Sequence, residues 1–366
     1  MAKAATKAGV ATTIPASTLA AALKAASSIV ETRNTIPILS MVRLQASTDS
    51  LIVTTTNLDI EYRQTLEATG PSWSACVDAK RLAQMAGAAS GDLSLSLDGN
   101  ILTVKAGRSR WAAPALPVDD FPEMPVEKLS PSVDFATSDL AEYINRTVWT
   151  ASTETTRYYL GGVFLNNEDG VIRFVATDGH KAASILSEKS WPADAPDAIV
   201  STQLANTIAA VLSDRISIAW DSHKLRAIAG DITITGKLID GSFPDYRRVI
   251  PAISDVIQVS AESLAASVTR VRIASDAQTR ILRLTTRDGA LLVKIEGTSG
   301  FEGEDELPAQ FDKETETGIN ADYLVGMLKA IGSGDVRISH ETPNSPIRFD
   351  PVNDTDFVGV IMPMRI

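Results

Sequence analysis

The chain carries one pattern of apolar residues three times. Each repeat opens with a polar residue followed by two apolar residues four positions apart, which is typical of a short amphipathic helix. These pairs are Leu19 and Leu23, Leu140 and Ile144, and Leu264 and Val268. A second helical pattern follows in each repeat, centred on Leu82, Leu204 and Leu324. The spacings are 121 and 124 residues for the first pattern and 122 and 120 for the second, so a 366-residue chain holds three copies of about one third each.

Polar residues before the first helix of each repeat are expected to cap it. They are Ser17-Thr18, Thr137-Ser138-Asp139 and Ser260-Ala261-Glu262.

Between the two helical patterns, each repeat alternates as a β-hairpin around a polar turn. The predicted hairpin strands are 41–46 with 51–55, 162–165 with 171–176, and 281–285 with 290–295. A further pair of strands follows each second helix, starting near Leu93, Ile216 and Val336. Two helices cannot cover both faces of so much sheet, so we expect them on one side. The predicted fold class is α+β, in three tandem copies of two helices packed on an antiparallel sheet.

Composition limits the cellular setting. Cys76 is the single cysteine, which excludes an intrachain disulfide and favours a reducing cytoplasm; its setting, Ala75-Cys76-Val77, predicts a buried, inert thiol in a strand. No apolar run approaches the roughly 18 residues that a membrane span needs. Residues 1–13 are expected to form a flexible tail rather than a signal peptide. The net charge of −11, taken alone, argues against a nucleic-acid binder.

Three stretches resemble enzyme motifs, but none predicts an enzyme. The segment Gly230–Lys237 has five residues between its glycines where a phosphate-binding loop has four, and its Ile-Thr-Ile-Thr core predicts a strand. Asp178-Gly179-His180 predicts a turn before it predicts part of a catalytic site, although a hydrolase using Asp178 and His180 stays open as an alternative. Asp119-Asp120 lies in a proline-flanked linker and is expected to be solvated. The three histidines show no metal-ligand spacing, so no metal or cofactor is expected.

Five stretches taken together resemble a known family. They are Arg33–Ser40, Arg157–Gly162, Ala176–Lys181, Phe243–Pro251 and Met362–Ile366. In this order, within three repeats of about 120 residues, they are similar to the beta subunit of bacterial DNA polymerase III, the sliding clamp family. The resemblance covers nearly the whole chain from Ile14 onward. Phe-Pro-Asp-Tyr-Arg-Arg and the terminal Met-Pro-Met-Arg carry it most specifically.

The resemblance implies a non-catalytic processivity factor that works in the cytoplasm. It implies a head-to-tail homodimer, a ring of six domains that encircles duplex DNA without reading its sequence. After the flexible tail, the implied clamp domains are 14–129, 130–252 and 253–366. Implied partners are the polymerase III alpha subunit, the clamp loader, and other polymerases and repair proteins that carry clamp-binding peptides. The alternative is a toroidal scaffold, or a specialised paralogous clamp without a housekeeping role in replication.

The same resemblance implies three sets of site residues. DNA contacts are expected at Lys24, Arg33, Lys80, Arg81, Arg146, Arg157, Tyr158 and Tyr159. Arg270, Arg272 and Lys329 are further basic candidates on the same helical segments.

A pocket for partner peptides is expected between the second and third domains. Its residues are Leu160, Thr177, Gly179, His180, Lys181, Ala182, Pro244, Arg248, Val249, Asn320, Tyr323, Val360, Met362, Pro363, Met364 and Arg365. Lys181 and Ala182 depart from the family, where arginine and leucine are usual, so the pocket is expected to be wider and to lack a bidentate donor.

The dimer contact is expected to pair the first domain with the third domain of the partner. Trp111 and Ala113 should meet Ile273 and Ala274, and Arg108 and Arg110 should lie near Glu302, Glu304 and Glu306.

Overall fold

The computed structural model describes residues 11–30, 36–125, 129, 132–275, 280–298 and 300–366. The α-helices are α1 Ala16–Ser27, α2 Ala79–Ala88, α3 Thr137–Val148, α4 Thr202–Ala209, α5 Ala261–Val271 and α6 Ala321–Ile331. Short 3₁₀ helices span Pro37–Ser40, Thr155–Leu160, Tyr246–Val249 and Arg272–Ala274.

The strands are numbered in chain order. The first eight are β1 Thr12–Pro15, β2 Met41–Ala46, β3 Ser50–Thr56, β4 Ile60–Glu67, β5 Trp73–Asp78, β6 Asp92–Asp98, β7 Ile101–Ala106 and β8 Ser109–Pro114. The next eight are β9 Val133–Ala136, β10 Gly162–Glu168, β11 Val171–Thr177, β12 Lys181–Ser190, β13 Ala198–Ser201, β14 Arg215–Trp220, β15 Lys224–Ala229 and β16 Ile232–Lys237. The last nine are β17 Val256–Ser260, β18 Ile281–Arg287, β19 Ala290–Glu296, β20 Glu302–Pro308, β21 Gln310–Phe311, β22 Glu316–Asn320, β23 Asp335–Ser339, β24 Ile347–Pro351 and β25 Phe357–Ile361.

The chain forms two compact units, and the middle repeat contributes to both. Unit 1 consists of residues 1–137 and 210–237, and unit 2 of residues 138–209 and 238–366.

Unit 1 contains two antiparallel sheets. A four-stranded sheet has the order β1-β6-β7-β8, and an eight-stranded sheet has the order β5-β2-β3-β4-β16-β15-β14-β9. The eight-stranded sheet joins strands of the first repeat to strands of the second through the β4–β16 pair, in which Ile60 lies opposite Gly236 and Gln64 opposite Ile232. Strand β8 is an edge of its sheet and ends at Pro114, which has no backbone N–H to donate.

Unit 2 likewise contains one large and one small antiparallel sheet. A nine-stranded sheet has the order β13-β10-β11-β12-β25-β24-β23-β17-β21, and a four-stranded sheet has the order β20-β19-β18-β22. The β12–β25 pair joins strands of the second repeat to strands of the third, with Lys181 opposite Ile361 and Ile185 opposite Phe357. Strand β20 is an edge of the smaller sheet. A sequence repeat is therefore not a separate sheet, because the hydrogen-bonded ladder continues from one repeat into the next.

The predicted helices form, and their apolar faces are buried. The six residues that mark the first helical pattern are at most 4% exposed, and the central leucines of the second pattern are at most 1% exposed. In unit 1, α1 and α2 pack on each other and on the eight-stranded sheet, and in unit 2 the same holds for α5 and α6 with strands β20, β22 and β25. The three predicted hairpins are also confirmed, as β2–β3, β10–β11 and β18–β19.

The expected N-caps are only partly correct. Ser260 accepts a hydrogen bond from the backbone N–H of Ser263 at 3.2 Å and caps α5 as predicted. Helix α1 instead begins at Ala16, so Ser17 lies inside the first turn, and Pro15 stands at the cap position without a side-chain bond. The N–H of Ala16 donates to the carbonyl oxygen of Gly91 at 2.9 Å, and this tertiary bond replaces the side-chain cap.

Strand β1 begins earlier than the sequence indicated. Thr12 and Thr13 pair with Leu95 and Ser94, so β1 includes two residues of the segment expected to be a tail. Residues 1–10 of that segment lie outside the described residues.

Two predictions about short segments agree with the structure. Residues 232–237 form β16, as expected for the stretch that resembles a phosphate-binding loop. Cys76 lies fully buried in β5, and burial raises the pKa of its thiol to about 11. None of the helices in the described part of the chain is long and apolar enough to span a bilayer.

Candidate functional site

The turn between β11 and β12 places several predicted pocket residues side by side. The carboxylate oxygen Oδ1 of Asp178 accepts the backbone N–H groups of His180 at 2.8 Å and Lys181 at 2.9 Å. Thr177 Oγ1 donates to the carbonyl oxygen of Lys181 at 2.8 Å and accepts the N–H of Gly179 at 3.1 Å. Gly179 has a φ of +88°, a conformation that favours glycine. These bonds fix the turn from both sides.

The C-terminal segment crosses beside this turn. Ladder pairing puts Ala182 opposite Val360, and the N–H of Met362 donates to the carbonyl oxygen of His180 at 2.8 Å. Two residues later, the N–H of Met364 donates to the carbonyl oxygen of Gly318 at 2.8 Å. Gly318 belongs to β22, so the last residues of the chain link the two sheets of unit 2.

Lys181 lies in an aromatic and acidic environment. Its ammonium forms an ion pair with the Asp178 carboxylate and lies 4.8 Å from the ring centre of Tyr323 and 5.9 Å from that of Trp149. The Lys181 side chain is only 10% exposed and that of Asp178 14%. Burial alone would raise the pKa of Asp178, but hydrogen bonds from the Lys181 side chain and from the His180 and Lys181 amides hold it below its usual value. Lys181 therefore presents little net charge to a ligand.

Trp149 and Asp178 were not among the predicted pocket residues. Trp149 follows α3, and its ring packs on Gly326 of α6, where a Cβ atom would come within 2.6 Å of a ring carbon. The pKa of the Tyr323 hydroxyl is raised, first by burial and then by the negative charge of Asp178. Trp149 and Lys181 are 32 residues apart in the sequence, and no local sequence pattern predicts their contact. The turn at Asp178 could be predicted, because Asp-Gly at the end of a strand is a turn pattern.

The remaining pocket residues divide by exposure. Leu160, Thr177, Ala182 and Val360 are buried, at most 7% exposed. The half-buried residues are Val249, Asn320, Tyr323, Met362, Pro363 and Met364. Gly179, His180, Pro244, Arg248 and Arg365 are exposed.

Two of these residues make defined local contacts. Asn320 caps α6 by accepting the N–H groups of Asp322 at 2.9 Å and Tyr323 at 3.2 Å. Arg248 is paired with Asp245 at 3.1 Å, yet 84% of its side chain is exposed.

Asp178 and His180 do not form a catalytic pair. The Asp178 carboxylate is occupied by two backbone amides and the Lys181 ammonium, and its bond to His180 goes to the main chain. Among the described residues, no side-chain hydrogen bond joins Asp178 to the exposed His180 ring. The part of the chain that the structure describes also holds no cluster of three metal-ligating side chains. The hydrolase alternative therefore has no geometric support.

Three of the basic residues expected to contact DNA are exposed on the helices of unit 1. Ala16 and Ala20 near the start of α1 line a shallow cavity with Ala86 and Gly87 near the end of α2. The start of α1 therefore lies near the end of α2. Lys24 lies in the last turn of α1, Lys80 and Arg81 lie in the first turn of α2, and all three are exposed.

The basic residues of unit 2 are more constrained. Arg157 donates to both carboxylate oxygens of Glu154, at 3.0 and 2.8 Å, and this pairing lowers the pKa of Glu154. Tyr158 is 56% exposed and makes an edge contact with the Tyr159 ring at 5.8 Å. Arg33 lies outside the described residues.

Arg146 points inward, contrary to the orientation that DNA contact requires. Its guanidinium donates to the Ala330 carbonyl oxygen at 2.8 Å, pairs with Asp354 at 2.7 Å and lies 4.4 Å from the ring centre of Phe357. Its side chain is only 13% exposed. Among the further candidates, Arg270 pairs with Asp305 and Arg272 lies 3.7 Å from Asp322, whereas Lys329 is exposed.

Most of the expected dimer residues lie on two edge strands, and the others lie in a turn and a 3₁₀ helix. Arg110, Trp111 and Ala113 are on β8, next to Arg108 in the preceding turn. Glu302, Glu304 and Glu306 alternate along β20 and are exposed. Ile273 is 84% exposed, and Ala274 is half-buried in the 3₁₀ helix after α5.

Comparison with known protein families gives a match in each of the three repeats. Models of the N-terminal, central and C-terminal domains of the DNA polymerase III beta subunit match residues 10–125, 134–245 and 247–365. The beta sliding clamp of Pseudomonas aeruginosa is 32% identical over 364 residues, which cover 97% of this chain and 99% of the relative. That of Caulobacter vibrioides is 33% identical over 377 residues, with the same two shares.

Solved structures agree with this result. The crystal structure of the Pseudomonas aeruginosa sliding clamp bound to griselimycin superposes with a TM-score of 0.91 at 29% identity, over 98% of this chain and 100% of that one. The Caulobacter crescentus polymerase III beta structure gives a TM-score of 0.89 at 32% identity, over 97% and 100%. The chain is thus built of three tandem clamp domains, and it belongs to the family of the DNA polymerase III beta subunit, the beta sliding clamps.

Proposed function

We propose that this clamp acts without catalysis, as a head-to-tail dimer that encloses duplex DNA and holds partner peptides on unit 2. The observation that carries the proposal is the site formed by Trp149, residues 177–182, Tyr323 and residues 360–364. There Ala182 and Val360 lie opposite each other in the β12–β25 ladder and are buried, half-buried methionines follow at positions 362 and 364, and the rings of Tyr323 and Trp149 lie by Lys181. We call it the unit 2 site.

The unit 2 site suits two neighbouring apolar side chains of a peptide. Leu160, Ala182 and Val360 are already packed, so a ligand would add contacts mainly to Val249, Met362 and Met364. Methionine side chains adapt to different apolar partners. At about 25 cal/mol per Å², burying a few hundred Å² yields several kcal/mol. Ordering a flexible peptide consumes much of this, so micromolar affinity is expected. Partners can then replace one another.

Charge in the unit 2 site is expected to contribute less than apolar contact. Lys181 is neutralised by Asp178, so it acts as a wall rather than as an anion receptor. Arg248 is the more accessible cation, with 84% of its side chain exposed. Its pair with Asp245 is exposed and hence weak. An acidic residue in the partner peptide could therefore replace Asp245 at low cost.

DNA contact in this proposal is weak and independent of sequence. Lys24, Lys80 and Arg81 give the helices of unit 1 three exposed cations, although the chain as a whole carries −11. Such residues attract phosphates through screened charge and read no bases. Tyr158 and Tyr159 offer an aromatic surface in unit 2. A topological link needs no tight grip, and a weak one leaves the clamp free to slide.

The partners follow from the family. We assign to the unit 2 site the polymerase III alpha subunit, the clamp loader, and other polymerases and repair proteins with clamp-binding peptides. The cytoplasmic location expected from the single cysteine is part of the same proposal.

Peptide binding is tested by shortening two side chains of the unit 2 site. We expect the double variant Val360→Ala/Met362→Ala to bind a fluorescent peptide with adjacent leucine and phenylalanine side chains at least about tenfold more weakly than wild type. Fluorescence anisotropy measures the affinity, and sedimentation confirms that the dimer mass is unchanged. Ile228→Ala, which removes an exposed apolar side chain from unit 1, serves as the control. An affinity within twofold of wild type in the double variant would place the peptide elsewhere.

Topological binding to DNA is tested without a clamp loader. Dimers are dissociated in high salt and reassembled by dialysis in the presence of a relaxed circular plasmid. Gel filtration should then show protein eluting with the circle, and cutting the plasmid once should release it. Equal retention on circular and linear DNA would contradict enclosure and would indicate ordinary surface binding.

A further inference from the structure

An open groove lies between the end of β1 and the last residues of β4 in unit 1. Its volume is about 660 Å³, which is within the usual range for ligand-binding cavities. Residues 13–15 and Thr18 line it from β1 and α1, residues 64–69 line it from β4, and Asp92 and Asp231 complete the lining. The groove shares no residue with the unit 2 site.

The backbone of β4 has a gap in its hydrogen bonding along this groove. The N–H of Thr65 donates to the carbonyl oxygen of Asp231 at 3.0 Å, and the N–H of Thr69 donates to that of Thr13 at 3.1 Å. Backbone groups of every second residue face the same neighbour in an antiparallel sheet. Glu67, midway between these two residues, therefore turns its N–H and carbonyl oxygen toward the groove.

Neither neighbouring strand reaches Glu67. Strand β16 begins at Ile232, which lies opposite Gln64, so it stops short of Glu67. On the side of β1, the register of the bridge at residues 13 and 69 would place Pro15 opposite Glu67, but proline has no N–H to donate. Strand β1 pairs along its other edge with β6. Among the described residues, no backbone group bonds to Glu67 on this side.

The charge of the groove is negative. Its charged side chains are Glu67, Asp92 and Asp231, and no lysine, arginine or histidine is among the lining residues. All three carboxylates are exposed, and within the described ranges none of them forms an ion pair. Asp231 accepts the side-chain N–H of Gln64 at 2.8 Å, a neutral partner that leaves the carboxylate charge in place. The start of α1 contributes about half a positive charge, which offsets less than one of the three.

We propose that this groove binds an extended, basic segment of a partner protein as an added strand. The backbone of one peptide residue exchanges two hydrogen bonds with Glu67, in the place that Pro15 cannot fill. Lysine or arginine side chains of the segment pair with the carboxylates at positions 67, 92 and 231. Ile14 and Leu66, which are at most 4% exposed, give the groove an apolar part of its lining. The unit 2 site, by contrast, suits apolar side chains.

Other ligands fit these observations less well. The described residues hold no group of three side chains that could bind a metal ion, so the three carboxylates do not form a cation site of that kind. A polyamine would match the charge but would leave the N–H of Glu67 without an acceptor. An extended peptide supplies both the positive charge and the backbone partner, and an unpaired strand segment favours such a ligand.

Fluorescence anisotropy with a labelled peptide, Thr-Lys-Val-Arg-Thr with blocked ends, tests the proposal. Asp92→Asn and Asp231→Asn should each raise its dissociation constant about threefold, and together about tenfold, because each removes one charge pair. Asparagine at position 231 keeps an acceptor for Gln64. Asp98→Asn is the matched control, because Asp98 ends β6 as Asp92 begins it, is exposed and lies outside the groove. Circular dichroism checks that each variant is folded.

A modified peptide separates strand addition from attraction by charge alone. The same probe with its three central residues N-methylated keeps both positive charges but has no central N–H groups, and it should bind at least about tenfold more weakly. Deuterium exchange of the Glu67 amide should slow when the unmodified probe binds.

Three results would overturn the proposal. Equal weakening by Asp92→Asn and Asp98→Asn would show attraction to the negative chain in general. Equal binding of the N-methylated probe would show a cation site without an added strand. Displacement of the basic probe by the unlabelled leucine–phenylalanine peptide would place it in the unit 2 site. Binding that survives this competitor supports the groove whether or not the unit 2 site takes the apolar peptide.

Discussion

The ion pair between Lys181 and Asp178 should stabilise unit 2 measurably, and Lys181→Met isolates its contribution. The ammonium makes a charge-assisted hydrogen bond to a carboxylate that is only 14% exposed. Such a bond contributes about 1.5–3 kcal/mol. Contacts with the rings of Tyr323 and Trp149 add about 0.5–1 kcal/mol each. Methionine recovers part of the packing, and two backbone amides still hold Asp178. We expect a net loss of about 2–3 kcal/mol.

Calorimetry or circular dichroism at fixed protein concentration measures the effect. For a unit of about 200 residues, 2–3 kcal/mol lowers the melting temperature of its transition by roughly 5–10 °C. Lys181→Arg keeps the charge and is the control. Asp178→Asn added to Lys181→Met should cost less than the two single changes together, because the partner charge is already gone. A loss below 2 °C for Lys181→Met, or strict additivity of the two changes, would refute the assignment.

Four further outcomes are expected. Trp111→Ala should raise the dimer dissociation constant at least tenfold, and an unchanged dimer at nanomolar concentration would exclude Trp111 as the anchor. His340 is buried and its pKa is lowered by burial, so the unfolded state takes up a proton first; the melting temperature should fall as pH drops below about 6.5, and less steeply in His340→Gln. Cys76 should react with a thiol reagent only after unfolding, and fast labelling of native protein would contradict its burial. Lys80→Ala with Tyr158→Ala should weaken binding to primed DNA at low salt, and equal binding would remove both residues from the DNA surface.

The local sequence pattern predicted the helices and hairpins well, because the residues that mark each of them lie close together in the sequence. Leu82, Leu204 and Leu324 each lie in a second helix of a repeat and are buried, as their spacing indicated. Asp-Gly and similar turns located the hairpins. The start of α1 was missed because a carbonyl oxygen distant in sequence, that of Gly91, satisfies its first amide. A propensity argument cannot include such a bond.

Long-range contacts in the candidate site could not be predicted from the residues alone. The family resemblance named Lys181 and Tyr323, but the ring of Trp149 and the inward turn of Arg146 depend on how α3 and α6 pack. Arg146 shows the limit most clearly. A basic residue on a helix looks available in sequence, yet a carbonyl group, a carboxylate and an aromatic ring surround it in the fold.

Pro114 limits what can be added to the edge of the small sheet in unit 1. In both large sheets a backbone hydrogen bond closes the junction between repeats, from the N–H of Lys237 to Asp59 and from that of Met362 to His180, each at 2.8 Å. Pro114 is the last residue of β8, which is the edge strand of its sheet. Proline has no amide hydrogen, so a further strand laid along β8 would receive no backbone bond from this position. The hydrogen-bonding edge of β8 is thus one donor shorter than the strand itself.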